Sequence, residues 1–431
     1  MVEREVIRRI IIEGQEFVNE ISLTERPFFF EQKGNYVFVG IRQAGKSYLL
    51  YQRIQQLLRE EHNINEIVYI NFDDERLRQM TADDLDLILQ AYHSLFDLRP
   101  LLFFDEIQNI EGWEHFARRL ANQKYNIYIT GSNAKMLSRE IATTLGGRFW
   151  NKDIYPYSFA EYLNARDIIL SKNWIYGKQA AEVSKAFNDY FLYGGFPELT
   201  DVIAKRVWLN DIYSKIFFSD LIVRNKVRNE EALGLLVRRL AENVKQPVSY
   251  TRLANLISSI GIKISKATVI EFIRYLKESC LIFPIENYAA KFAERNSNMK
   301  HYFIDNGLLS IFLLDGNTSL LENIVAIHLY KRYGAQLYFY NQNIEVDFVI
   351  PEAKTAIQVS YSLMDETTCR REVEGLIKLN RVFPMDNMCI ITRDEERIIT
   401  HESGVSIHVI PVWKWLLEEI SKAIQSRLTG Q

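Results

Sequence analysis

The run "GIRQAGKSYLL" (residues 40–50) is where this chain first offers chemistry. Gly40, Gly45, Lys46 and Ser47 meet the pattern G-x-x-x-x-G-K-[ST], in which glycines let backbone N–H groups turn inward around phosphates at a helix N-terminus. Lys46 is then placed to reach the β- and γ-phosphates, and the Ser47 hydroxyl to ligate Mg²⁺. The candidate cradle is Gly40, Ile41, Arg42, Gln43, Ala44, Gly45, Lys46, Ser47 and Tyr48. At average composition, a chance match in a chain of 431 residues has a probability on the order of 1–2%.

A phosphate cradle needs a carboxylate for Mg²⁺ at the end of a neighbouring buried strand, and a base beside it for water. "LLFFDE" (residues 101–106) supplies both, with Asp105 for the metal and Glu106 for the attacking water. The rival reading is an acidic pair that merely ends a strand. "YNIYIT" (residues 125–130) ends in Thr130, followed by Gly131, Ser132 and Asn133, and a polar group there could sense the γ-phosphate. Polar strand ends are common, so Thr130 gains meaning only beside the other two motifs.

The elements that must hold these residues read as alternating strands and helices. Strands are expected at 36–39, 66–72, 100–106 and 125–132, and helices at 3–20, 46–60, 82–93 and 113–122. That alternation argues for an α/β fold with a parallel, doubly wound sheet. From residue 151 to 227 the pattern turns helical and aromatic and contains "YFLYGGFPEL". Three amphipathic helices and a strand-like "LIFPI" follow between 230 and 288. A helix from 317 leads into the strands "LYFYN", "EVDFVI", "AIQVSYS", "MCIIT" and "VSIHVI", with a helix at "CRREVEGLIKLN" between the third and fourth.

Composition bounds the rest. Of the residues, 48% are hydrophobic and 25% charged, a globular balance, and the length predicts two to four domains. Net charge is −3, yet residues 203–300 hold 17 Lys/Arg against 9 Asp/Glu, leaving −11 for the remainder. A basic middle suits either a polyanion partner or a plain solvated face. Cys280, Cys369 and Cys389 form no CxxC pair, so neither a zinc site nor a disulfide framework is expected. No uncharged apolar run approaches the ~20 residues of a membrane span, and a cytoplasmic protein without a membrane partner is expected.

In the motifs "GIRQAGKSYLL", "YINFDDERL", "LLFFDEIQNIEGWEHFARRL", "IYITGSNAKMLS", "LGGRFWNKDIYPYSFAEYL" and "YGGFPE", and later "LLENIVAIHLYKRYG" and "YFYNQNIEVDFVI", the chain resembles the AAA+-related P-loop ATPases of the AAA_14/DUF4143 type. That resemblance implies an ATPase domain with a C-terminal nuclease-like domain, and ATP rather than GTP as nucleotide. It also makes Arg148, in "GGR", the candidate for a γ-phosphate or finger role, within the chain or across a subunit interface. Arg118 and Arg119 are the other cations on offer, with a surface salt bridge as their bland reading. Gly194–Gly195 is expected as a structural turn of a helical lid. Residues 33–35 could pack on the base.

Residues 247–288 read as a helix-turn-helix with a wing. Ser249 caps a first helix burying Leu253 and Leu256, Gly261 turns, and Ser265 caps a second helix. Val269, Phe272, Ile273 and Leu276 face inward there; Lys266, Thr268, Glu271 and Arg274 stay outside. The second helix could read double-stranded DNA, or the module could serve as a lid or protein contact. Nucleases of the PD-(D/E)xK type need carboxylates converging on Mg²⁺ and a lysine to steer water. Here Glu322 and Asp347 fit two positions, but Gln358 stands for the second-strand glutamate and Ser360 for the lysine. Glutamine can ligate a metal through its carbonyl, whereas serine cannot replace an ammonium; the next cations, Arg370, Arg371 and Lys378, lie on the following helix.

The expectation is therefore an α/β P-loop ATPase domain (1–165), a helical lid (166–228), a winged-helix domain (229–312) and an inactive nuclease-like domain (313–431). ATP and Mg²⁺ are its ligands, with double-stranded DNA and further copies of the chain as candidate partners. Lys46, Glu106, Arg148 and Thr130 are the candidate catalytic residues, and Ser47 and Asp105 the metal ligands. The alternative is a nucleotide-gated binding switch that seldom turns over.

Overall fold

A computed structural model describes residues 2–291, 295 and 297–417; the last stretch of the expected C-terminal domain, 418–431, lies outside the described residues. The chain divides into two compact units, residues 1–155 with 278–280, and residues 156–277 with 281–431.

The first unit begins with α1 (Arg4–Glu20), which buries Ile7, Ile10, Ile11, Gly14 and Val18 at helical spacing. Then come β1 (Asn35–Val39), α2 (Lys46–Arg59), β2 (Ile67–Asn71), α3 (Asp86–His93), β3 (Leu101–Asp105), α4 (Trp113–Asn122), β4 (Ile127–Gly131), α5 (Arg139–Leu145) and β5 (Phe149–Asp153). The strands form one sheet in the order β2-β3-β4-β1-β5, with every pairing parallel. The three central strands are continuous apolar runs because helices cover both of their faces. On one face Tyr36, Phe38, Phe103 and Tyr128 stack as a row of rings. Since β3, β4 and β1 are neighbours, Asp105, the Thr130 segment and the loop after Val39 meet at adjacent carboxyl ends. This is where an open α/β sheet places its ligands.

One expectation fails here. Residues from 151 were read as helical, yet β5 pairs along β1, with Val37 opposite Asn151 and Val39 opposite Asp153. An edge strand needs one neighbour and no buried side chains, so "FWNKD", exposed from Trp150 onward, carries no apolar signal.

The second unit opens with α6 (Phe159–Ala165), α7 (Gln179–Tyr193), α8 (Lys205–Lys215) and α9 (Glu230–Glu242). After α7, Gly194 takes φ +78° and a Cβ on it would lie 2.0 Å from an Asp305 carboxylate oxygen. The Gly195 N–H donates to Asp305 at 2.7 Å, so this glycine pair is spent on packing within the unit. Next come β6 (Val248–Ser249), α10 (Tyr250–Ser258), α11 (Lys266–Glu278), β7 (Ile282–Asn287) and β8 (Asn298–Phe303). Ser249 caps α10 by accepting the Arg252 N–H, and Ser265 accepts the Thr268 N–H ahead of α11. The buried face of α11 is Val269, Phe272, Ile273 and Leu276; that of α10 is Leu253, Ala254 and Ile257, with Leu256 only half-buried.

A helix at Asn317–Tyr333 precedes β9 (Tyr338–Asn341), β10 (Glu345–Ile350) and β11 (Thr355–Val359). A helix at Glu366–Val382, then β12 (Asn387–Thr392), β13 (Arg397–Thr400) and β14 (Ser406–Pro411) complete the described chain. All strands of this unit join one sheet, β13-β14-β12-β11-β10-β9-β7-β8-β6. The strand read as a wing, β7, pairs antiparallel with β8 and parallel with β9, so the sheet runs unbroken past residue 312. The exposed edge strand β13 escaped the sequence reading for the same reason as β5.

Candidate functional site: a phosphate loop with an acidic strand end

The loop after β1 is shaped by its glycines. A Cβ on Gly40 would lie 2.0 Å from the Ile154 carbonyl oxygen, and Gly45 has φ +89° as the residue before α2. Gln43 also takes a positive φ, +59°, so this loop turns its amides where ordinary backbone would not. Lys46 is 4% exposed, and its ammonium donates to the Gly40 and Ile41 carbonyls at 3.1 and 3.0 Å. Tyr48 stands half-exposed one turn along α2, its ring edge on Tyr51.

Across from the loop, Asp105 is almost fully buried and ringed by hydroxyls. Thr130 Oγ1 donates to Asp105 Oδ1, Tyr69 donates to Oδ2 at 2.8 Å, and Ser47 is a third hydrogen-bonding partner. Because the single Tyr69 proton goes to Asp105, the 2.8 Å contact with Tyr51 has Tyr51 as its donor. Burial pushes the Asp105 carboxyl up, as does the neighbouring Glu106 charge; the three hydroxyls pull it back. Glu106 sits in a left-handed backbone conformation, φ +51°, which turns its side chain out of strand register toward Lys46. Its Oε1 is 3.7 Å from the Lys46 ammonium, its Oε2 accepts from the Gln108 amide, and its N–H donates to Thr130 Oγ1 at 3.0 Å. Burial raises the Glu106 carboxyl, but Lys46, Gln108 and Ser132 together hold it below the usual carboxylate range. The site thus presents one ammonium, one ionised carboxylate and one buried carboxylate with hydroxyl donors, an oxygen set suited to Mg²⁺ and phosphate.

Five of the residues singled out from sequence, Lys46, Ser47, Asp105, Glu106 and Thr130, are brought together. Tyr69, Tyr51 and Gln108 carry no such signal in the sequence; a tyrosine on a buried strand reads as core until its hydroxyl partner is seen. Arg148 is not brought in. It is exposed, donates to the Gly146 carbonyl at 3.0 Å, and precedes the amino end of β5, opposite Asn35. The loop lies past the other end of the same strands, five residues or roughly 16 Å away. A γ-phosphate role for Arg148 within its own chain is therefore corrected. Arg119 pairs with Asp86 at 2.5 Å on the surface, as its bland reading had it.

The second unit holds a cleft of roughly 940 Å³ lined by Glu322, Glu345, Asp347, Gln358, Ser360 and Glu372, with Lys245, Arg370, Arg371 and Lys378 around them. Glu322 and Asp347 do converge. Gln358 and Ser360 are both held by backbone: Gln358 Oε1 accepts the Asp347 N–H at 2.8 Å, its Nε2 donates to the Glu345 carbonyl, and Ser360 Oγ donates to the Ser362 carbonyl. The Gln358 carbonyl oxygen is thus turned to the β10 backbone, with one lone pair taken up there. The cation of the site comes not from the following helix but from Lys300 on β8, which is fully buried.

A family model described as an AAA domain matches residues 32–163, and one described as a domain of unknown function (DUF8612) matches residues 184–319. The chain is 32% identical over 434 residues to the uncharacterized protein MJ1544 of Methanocaldococcus jannaschii, covering 97% of this chain and 96% of that one. It is 30% identical over 393 residues to an uncharacterized protein of Haemophilus influenzae, covering 89% and 94% respectively. A solved Walker-type ATPase of Pyrococcus abyssi covers 72% of this chain and 96% of its own length at 14% identity, with a TM-score of 0.40, too low to bear on function.

Proposed function

The chain belongs to the family of MJ1544, and we propose that its AAA domain binds ATP with Mg²⁺ and hydrolyses it. The observation that carries this is the pairing of a glycine-shaped phosphate loop after β1 with Asp105 and Glu106 at the end of β3, two strands that flank β4. Backbone amides from Gly40 to Ser47 would cradle the phosphates, and Lys46 would leave the Gly40 and Ile41 carbonyls for phosphate oxygens. Ser47 and Asp105 would hold Mg²⁺, which when bound neutralises charge developing on the phosphates. Glu106, kept ionised by Lys46, Gln108 and Ser132, would accept hydrogen bonds from the attacking water and orient it. Thr130 holds Asp105 through its hydroxyl and Glu106 through the Glu106 N–H, so both carboxylates share one anchor.

Arg148 would complete the charge only on a neighbouring copy of the chain, since its own loop lies at the far end of the sheet. We extend the proposal to a homo-oligomer on that ground. Residues 166–228 would act as a helical lid, and 229–312 as a winged-helix module with duplex DNA as its partner. The exposed Lys266 and Arg274 on α11 support contact with a polyanion, and Glu271 beside them, 3.7 Å from Arg274, opposes it. The region from 313 would be nuclease-like without nuclease activity, because Gln358 and Ser360 are turned to backbone. A switch that holds nucleotide with little turnover is the second reading, and the grip of Lys46 and Gln108 on Glu106 favours it.

The test is phosphate release from ATP by wild type and Lys46→Ala, each with and without duplex DNA. Turnover abolished by the substitution supports the ATPase, and stimulation by DNA supports the winged-helix assignment. Tight ATP binding without release would replace the ATPase by the switch.

A further inference from the structure

Lys300 is the most fully buried cation among the described residues of the second unit, and its surroundings define what it does. Its Nζ lies 3.1 Å from Glu322 Oε1, 3.2 Å from Asp347 Oδ1 and 3.8 Å from Glu345 Oε1. These carboxylates come from a helix and from β10, while Lys300 rises between them from β8. An ammonium has three protons, and here three carboxylates face it. We infer that Lys300 is a built-in cation standing where these carboxylates would otherwise take a divalent metal, so that the cleft above it works without one.

The remaining contacts point the same way. Glu322 Oε1 also accepts from the Tyr302 hydroxyl at 2.7 Å, and Asp347 Oδ2 accepts the Val359 N–H at 2.9 Å. Glu322 Oε1 and both Asp347 oxygens are already engaged, and Gln358 and Ser360 are held by backbone. Lys300 itself has no exposed surface, so it does not reach into the cleft as a lysine steering water beside a metal would have to. Two nearly buried carboxylates demand a cation, since an unpaired buried charge is strongly unfavourable. The chain supplies a permanent one. Burial works against the Lys300 charge, but Glu322, Asp347 and Glu345 outweigh it and hold its pKa above the usual lysine range. The inference concerns the cleft alone and does not depend on nucleotide hydrolysis or on DNA.

The experiment is Mn²⁺ titration of the full, nucleotide-free chain, with free metal counted by its paramagnetic resonance signal. Wild type, Asp347→Asn, Lys300→Ala and the double variant are compared, so any metal at the phosphate loop is common to all four. Wild type and Asp347→Asn are expected to bind the same number of ions. Lys300→Ala is expected to bind one more per chain, and the double variant to lose it. A bound ion in wild type that Asp347→Asn removes would overturn the inference and restore the water-steering lysine. So would a Lys300→Ala protein that keeps its circular dichroism and binds no extra ion. Should Lys300→Ala not fold without metal, the comparison of wild type with Asp347→Asn still decides.

Discussion

Lys46 and Glu106, sixty residues apart in sequence, stand with ammonium and carboxylate 3.7 Å from each other, one at the start of α2 and the other just past β3. One group would bind the phosphates and the other would orient the water, and the ammonium helps to keep the carboxylate ionised. Glu106→Gln keeps the shape and removes the charge. Phosphate release is expected to fall by about 10²–10⁴-fold, the usual worth of a positioned base. ATP affinity, read by a fluorescent analogue, is expected to change by less than about tenfold.

Tyr69 fixes one oxygen of Asp105 through its hydroxyl. Removing its hydroxyl in Tyr69→Phe should raise the Mg²⁺ concentration for half-maximal nucleotide binding by about 10-fold, the low end of what partners behind a metal ligand contribute. Tyr51→Phe, which reaches Asp105 only through Tyr69, should have a smaller effect in the same titration. Equal effects would mean that the two rings act by packing alone.

Gly40→Ala tests the loop rather than the charges. The added methyl carbon would sit 2.0 Å from the Ile154 carbonyl oxygen, a backbone atom that cannot swing aside as a side chain would. Nucleotide affinity should fall at least about tenfold, the equivalent of about 1.4 kcal/mol of loop distortion. Circular dichroism should retain the helical content. Preserved affinity would show that β1 and β5 separate easily at this end.

His301 gives a pH dependence of stability that has nothing to do with the nucleotide. It is buried on β8, and burial together with the Lys277 charge, against an opposing contact with the Met299 backbone, lowers its pKa from 6.5 to about 4. Because the unfolded chain takes up this proton and the folded one does not, stability is complete above pH 6.5. It declines as pH falls toward 4, by about 3 kcal/mol over the window. His301→Leu should remove that slope. The difference in melting temperature between wild type and variant, followed from pH 7 to 4.5, measures it free of the other titrating groups.

How much of this was legible before the fold was known follows from distance along the chain. The phosphate loop was readable because its eight residues are contiguous and backbone geometry dictates their types. Asp105 and Glu106 were readable because a buried parallel strand leaves an uninterrupted apolar run pointing at them. The caps Ser249 and Ser265 and the four buried positions of α11 were legible for a related reason: capping and helical periodicity act within a few residues.

The rest needed the tertiary structure. Strands β5 and β13 escaped because an exposed edge places no demand on side chains. Arg148 was suggested by the family resemblance, but a parallel strand carries whatever precedes it to the opposite end of the sheet. Tyr69 and Thr130 became partners of Asp105 only once β2, β3 and β4 were laid side by side. Lys300 is the clearest case. It lies 22 residues from Glu322 and 47 from Asp347, in a segment whose spacing says nothing of carboxylates. Charge pairing has no sequence period, so a buried ammonium finds its partners only where the sheet order has already brought β8, β10 and the helix Asn317–Tyr333 together.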